Sequence, residues 1–307
     1  MISCKTVLCS YNGEKYITEQ VLSIEHAFKF AGVNDYSIVV FDDGSIDGTC
    51  QKIQQLQSQF LVGQLTYHSD RNKGVVKNFI QAILSMDVDE LDWLFLADQD
   101  DVWREDKVAE YFSVFEKTSV DIATIVFSDA VLIDEYGKEF SPSFFNYQGL
   151  DCNILKDDSI LFRNCVQGAT IALNKEMVLL LRNTLEYINV QQIVMHDWWL
   201  AILAKYYGQY YFLNKPLIKY RQHSNNKVGA QGKNKFVTFV KSPKQFISSF
   251  IRIVHQANAF ISMDAIINPE RIIHHKRQFS LKNCGWIKKF LVSLFKITFF
   301  NKSFKLW

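Results

Sequence analysis

Proline is scarce in this chain, with 4 in 307 residues, and no low-complexity stretch appears, so it reads as globular rather than repetitive. Charge of one sign is not in excess. The formal net charge is +2, which argues against a nucleic-acid partner bound through bulk charge. The six cysteines (Cys4, Cys9, Cys50, Cys152, Cys165 and Cys284) never form a C-x-x-C pair. That spacing disfavours a zinc site or a disulfide scaffold and fits a reducing cytoplasm. No apolar run approaches the length of a spanning helix, and Met1-Ile2-Ser3-Cys4-Lys5 lacks the charged and apolar regions of a signal peptide. No G-x-G-x-x-G follows the first apolar segment, which disfavours a dinucleotide oxidoreductase. Acidic residues are missing altogether after Glu270, whereas Arg271, Lys276, Arg277, Lys282, Lys288, Lys289, Lys296, Lys302 and Lys305 all follow it.

Apolar residues make up 48% of the chain and aromatics 14%, ample for a core. The length suits one large α/β domain with an appendage, or two small domains. The most informative stretch is Trp93-Leu94-Phe95-Leu96-Ala97-Asp98-Gln99-Asp100-Asp101, an apolar run that ends abruptly in carboxylates. Like charges repel and are costly to desolvate, so packing alone does not place them at a strand end. A divalent cation would offset the repulsion, and Mg2+ or Mn2+ binds one or two carboxylates together with substrate phosphates. The plain alternative is a solvated acidic loop.

The first half alternates strand and helix patterns. Strands are expected at 5–9, 37–41, 65–68 and 93–96, and helices at 15–30, 47–60 and 75–86, which implies parallel pairing in a doubly wound sheet. Ligands of such sheets bind at the carboxyl ends of the strands. Those ends carry Ser10-Tyr11-Asn12-Gly13, Asp42-Asp43-Gly44-Ser45, Asp70-Arg71-Asn72-Lys73-Gly74 and the acidic cluster. Further strands are expected at 122–127, 166–173, 210–213 and 218–220, helices at 175–184 and 196–207, and a long lid or acceptor-facing loop at 142–156. The last third reads as helical, over 236–260 and 286–300. Its basic, aromatic final helix suits an anionic membrane surface; the alternative is an ordinary helix packed on the main domain with its lysines in water.

In series, Leu8-Cys9-Ser10-Tyr11-Asn12-Gly13, Asp42-Asp43-Gly44-Ser45-Ile46-Asp47-Gly48-Thr49, Arg71-Asn72-Lys73-Gly74, Asp98-Gln99-Asp100-Asp101-Val102-Trp103 and His196-Asp197-Trp198-Trp199 resemble a family 2 glycosyltransferase of the GT-A fold. Together with Tyr220-Arg221-Gln222-His223-Ser224-Asn225-Asn226, they are most similar to bacterial rhamnosyltransferase-like enzymes of surface polysaccharide (O-antigen or capsule) assembly. The resemblance implies a Rossmann-like, mostly parallel sheet flanked by helices over residues 1–225, with a helical, membrane-associating C-terminal region over 226–307.

It further implies a UDP- or dTDP-sugar donor, a glycan or lipid-linked acceptor, a Mn2+ or Mg2+ cofactor, and inverting transfer at the inner face of a bacterial membrane. Cys9, Ser10, Tyr11, Asp42 and Asp43 would hold the nucleotide base. Asp100 and Asp98 would bind metal and diphosphate, with Asp98 alternatively on the ribose or donor sugar, and His223 would complete the metal site. Arg71, Lys73 and Arg221 would reach the diphosphate, and Asp101 would cap the next helix. Asp197 would be the catalytic base, ionised at neutral pH because it opens a helix, although a simple capping role fits it too. One of Trp198 and Trp199 is expected in the core. Processive synthases differ, because the Gln-x-x-Arg-Trp element and spanning helices are missing here. A haloacid-dehalogenase phosphatase is excluded, since its nucleophile position falls on Ser45. A non-catalytic membrane scaffold that keeps the fold remains the alternative to an enzyme.

Overall fold

The structure is a computed structural model, and it describes residues 2–61, 64–223, 243–269, 280–285, 289 and 292. The first half follows the expected alternation: β1 (Cys4–Ser10), α1 (Ile17–Phe30), β2 (Tyr36–Asp42), α2 (Thr49–Gln57), β3 (Leu65–Ser69), α3 (Val75–Leu84) and β4 (Trp93–Asp98). The periodicity explains the elements. Ile17, Val21, Ile24 and Phe28 fall on one stripe of α1, and all are fully buried. Each such side chain contributes roughly 1.5–3 kcal/mol of burial free energy.

The second half is less regular. It contains β5 (Val102–Trp103), α4 (Lys107–Phe115), β6 (Thr124–Ile133), β7 (Glu139–Ser141), α5 (Phe144–Gln148), β8 (Ala172–Asn174), α6 (Lys175–Thr184), α7 (His196–Tyr207), β9 (Gln209–Arg221) and α8 (Pro243–Ile267). Among the described residues the strands form one mixed sheet in the order β3-β2-β1-β4-β8-β6-β9-β5, with β7 on the edge of β6. Strands β1 to β4 pair in parallel, and β8 is inserted antiparallel between β4 and β6.

Three expectations are corrected. Residues 166–173 are not one strand: a 3-10 turn at Gly168–Thr170 precedes a short β8. The two late strands are one long β9, paired parallel to β6 across a register shift. The 142–156 segment is no free loop. It holds α5 and a 3-10 turn, buries Phe145, Ile154 and Leu155, and is pinned where Ser143 Oγ and the Phe145 N–H donate to Asp129.

Helix α8 packs on α7. Phe260 meets Trp199, Tyr206 and Tyr207, and the Tyr207 hydroxyl donates to Asp264 at 2.6 Å. Residues 280–285 are held to the Asp157–Asp158 turn through Ser280 and Asn283. The expected helix over 286–300 and the basic run that follows lie outside the described residues, as do Ser224, Asn225 and Asn226.

Candidate active site

Parallel register brings the strand tips together: Ser10 lies beside Asp42, Asp42 beside Ser69, and Cys9 beside Asp98. The tips are stitched to one another. Asp42 is 2% exposed, and its carboxylate accepts Ser10 Oγ at 2.9 Å and the Ser45 N–H at 2.8 Å. Gly44 has φ +78, and a Cβ there would meet Asp70 O at 3.0 Å and Asn72 N at 3.1 Å, so the turn needs glycine. Asp43 accepts the backbone N–H groups of Lys73 and Gly74 at 2.7 and 2.9 Å, which fixes the β3–α3 loop against the β2 tip. Gln99 bridges from β4, accepting the Tyr11 N–H at 2.7 Å and donating to the Tyr11 carbonyl at 3.0 Å. Tyr11 itself is left 38% exposed on the rim, open to a planar ring.

Several expected binding residues sit differently. Cys9 packs in the apolar core, and burial holds its thiol well above the usual range. Lys73 is engaged by Asp70 at 2.8 Å and by Gln81 at 2.6 Å, whereas Arg71 is exposed. Arg221 is 2% exposed. Its Nε donates to the Asp100 carbonyl at 2.9 Å, its Nη2 to Glu19 at 2.7 Å, and its guanidinium lies 4.6 Å over the Tyr16 ring. Arg221 therefore braces the acidic loop from behind and is no free diphosphate clamp. Asp101 does not cap α4, whose N-cap is Asp106; its carboxylate accepts the Arg221 N–H at 3.1 Å. Burial, then the charges of Asp100 and Asp98, push Asp101 well above the carboxylate range.

Asp100 and His223 meet beside Asp98, and Asp197 lies within electrostatic reach of Asp98. His223 Nε2 lies 2.8 Å from Asp100 Oδ2, and its ring stacks on Tyr16 at 5.2 Å. Burial raises Asp98 to about 8, and the charges of Asp100 and Asp197 add to the shift. Asp197 is thus close enough for its charge to be felt at the β4 tip, although the two lie about a hundred residues apart in sequence.

A divalent cation fits this set on its donor chemistry. An imidazole nitrogen facing a carboxylate oxygen, beside a second carboxyl that burial and like charge hold protonated, is a place where a cation would relieve repulsion. Among the described residues no group of three or more His, Cys, Asp or Glu side chains forms a ready cage. A two-ligand site completed by substrate phosphate is the arrangement such ions accept.

Asp197 lies in the first turn of α7 and is 8% exposed. Its carboxylate accepts the Trp198 N–H at 2.5 Å, the Gly168 N–H at 3.1 Å and Asn164 Nδ2 at 3.3 Å. Burial outweighs these bonds and raises it to about 7. The expected full ionisation from the helix terminus is corrected accordingly, and the group sits where a general base works best near neutrality. Both tryptophans are core: Trp199 is fully buried, and Trp198 Nε1 donates to the Ile160 carbonyl. His196 is buried against Phe79 at 3.9 Å, and desolvation lowers it to about 3, so it is neutral.

Asn164 and Gly168 are the site residues that sequence reasoning missed. A Cβ at Gly168 would sit 2.7 Å from His196 Nε2 and 3.5 Å from Asp197 Cβ, so only glycine lets this turn reach the carboxylate. The signal was a glycine-containing run with polar ends, Asn164-Cys165-Val166-Gln167-Gly168, that leads into the segment read as a strand over 166–173.

An acidic cleft at the carboxyl ends of a largely parallel sheet flanked by helices is the architecture of a glycosyltransferase of the GT-A fold. Residues 6–161 match the model of Glycosyl transferase family 2, half of the chain, and the protein belongs to that family. It is 28% identical over 229 residues to the dTDP-rhamnosyl transferase RfbG of Shigella flexneri, covering 73% of this chain and 74% of that protein. Among solved structures, S. aureus TarS 1-349 in complex with UDP-GlcNAc superposes with a TM-score of 0.51 at 16% identity, over 73% of this chain and 60% of that one. The same protein in complex with UDP gives 0.52 at 16% identity, over 94% and 77%. These structural likenesses bear on the fold.

Proposed function

We propose that this glycosyltransferase catalyses an inverting, metal-dependent transfer of a sugar, rhamnose in the reading its Shigella relative supports, from a dTDP- or UDP-linked donor to a glycan or lipid-linked acceptor of a bacterial surface polysaccharide. The observation that carries the reading is the placement of Asp197 within electrostatic reach of Asp98 at the β4 tip. Asp43 and Tyr11 hold the nucleotide base, Asp98 the ribose or donor sugar, and Arg71 the diphosphate. Asp100 and His223 hold Mn2+ or Mg2+, which when bound would neutralise charge on the leaving diphosphate. Asp197 takes the proton of the acceptor hydroxyl as that oxygen attacks the anomeric carbon. The bond from the sugar to the diphosphate breaks on the opposite face, and the nucleoside diphosphate leaves.

Residues 1–225 act in this reading as the catalytic unit, and 226–307 as a helical region that docks the enzyme on the inner face of the membrane. Among the described residues no helix is long and apolar enough to cross a membrane. The test is nucleoside diphosphate release by purified protein from a panel of UDP- and dTDP-sugars, with Mn2+, Mg2+ or chelator. Asp100→Ala should keep its thermal transition and lose turnover. Turnover that survives in Asp100→Ala, or that is indifferent to chelation, would remove the metal assignment.

A further inference from the structure

A buried amide with no partner precedes the turn that reaches Asp197. Gln167 is 8% exposed, and neither its Oε1 nor its Nε2 has a hydrogen-bond partner among the described residues. Leaving such a group unpaired costs about 1–3 kcal/mol, and native interiors rarely leave both ends of one amide so. Its backbone is fixed, because its carbonyl accepts the Thr170 N–H at 3.0 Å and Thr170 Oγ1 at 2.8 Å.

Neighbouring contacts locate it. The next residue, Gly168, donates to Asp197, and so does Asn164 a turn earlier. Ala172 pairs antiparallel with Phe95, and the Ile171 carbonyl accepts the Leu96 N–H at 2.9 Å. The 3-10 turn Gly168–Thr170 adjoins that pairing directly, toward the end of β4 that carries Asp98. The backbone of Gln167 therefore lies next to the turn that joins the β4 side of the sheet to Asp197.

We propose that the Gln167 carboxamide is a specificity-determining group that hydrogen-bonds hydroxyls of the donor sugar. The inference deepens the function proposed above and rests on it. One acceptor oxygen and two N–H donors match adjacent hydroxyls, each of which both donates and accepts. The acceptor substrate has to enter from solvent, whereas this amide is nine-tenths buried and its turn adjoins β4, whose Asp98 holds the ribose or donor sugar in the function proposed above, so the donor's sugar is the better match. Sites that read a hydroxyl by hydrogen bonding discriminate strongly, because the wrong substrate leaves the buried group unpaired.

The test compares wild type with Gln167→Met, which keeps length and removes both polar ends, a change expected to be neutral or stabilising for the free protein. Affinities for UDP and dTDP alone are measured beside affinities and kcat/KM for UDP-glucose, UDP-GlcNAc, dTDP-glucose and dTDP-rhamnose, with Mn2+ present. Nucleoside diphosphate affinity should be unchanged, while kcat/KM for the preferred donor falls roughly ten- to a hundredfold. A donor kcat/KM within about twofold of wild type overturns the inference, as does an equal loss for the bare nucleotide or a rise confined to acceptor KM. Should Gln167→Met fail to fold, Gln167→Glu, which keeps the shape but loses the amide donors, is read by the same criteria. Wild type that turns over no sugar nucleotide would sink the proposed function, and this inference with it; active wild type with an indifferent variant sinks this inference alone.

Discussion

Asp197→Asn removes a buried charge and the base together, and the two effects separate by pH. Burial lifts the carboxyl from an ordinary 3.8 to about 7 in the folded protein. A shift of that size corresponds to roughly 4 kcal/mol between the two protonation states. The folded state holds the proton more tightly than the unfolded state, so between these values it binds more protons, and wild-type stability falls as pH rises. Above about pH 7 the full penalty is present; below about pH 4 it is gone. The amide does not titrate. It has one acceptor oxygen where the carboxylate has two, so the Gly168 or the Trp198 N–H loses its partner, a pH-independent cost of about 1–3 kcal/mol. The variant should therefore gain on wild type by roughly 3 kcal/mol between about pH 5 and pH 8, several degrees in Tm. Thermal melts across that range, with donor affinity and turnover measured on the same samples, test it. Turnover should fall by about 10²–10⁴ with donor affinity kept. A Tm difference that does not move with pH would refute the burial argument, and turnover within about tenfold of wild type would place the base elsewhere.

Other consequences can be checked alongside. Gly168→Ala forces a Cβ against His196 Nε2, and the shift should cost about 1–3 kcal/mol and lower kcat with nucleotide affinity retained; unchanged kcat would mean the turn does not position Asp197. Arg221→Met removes the guanidinium from Glu19 and from the Asp100 carbonyl, so stability should drop by about 1–2 kcal/mol. An unaltered Tm with weakened diphosphate binding would instead restore Arg221 as a clamp. Removing the residues after Gly285 should release the protein from anionic vesicles in a sedimentation assay, and equal retention of both forms would place any membrane contact elsewhere.

Much of the first half was legible because its signals are local. The stripe in α1, the β-branched run of β2 and the apolar run of β4 depend only on periods set by the backbone. The polar strand ends and the Asp98 to Asp101 cluster announced the cleft, because charge at a buried strand end has no packing reason. The late strands were harder: β9 is long, half-exposed and interrupted at Pro216, so its pattern broke into two pieces.

The sequence by itself determined the alternating parallel sheet, the tips that line its carboxyl edge and the family to which the chain belongs, all consequences of neighbours within a few residues. Only the tertiary structure decided which charges are spent and which are available. It buried Arg221 against Glu19 and the Asp100 carbonyl, tied Lys73 to Asp70 at the surface, wedged β8 antiparallel beside β4, brought Asn164 and Gly168 onto Asp197, and lifted that carboxyl to about 7. Desolvation and long-range contact are properties of surroundings assembled from distant segments, and no local pattern encodes them.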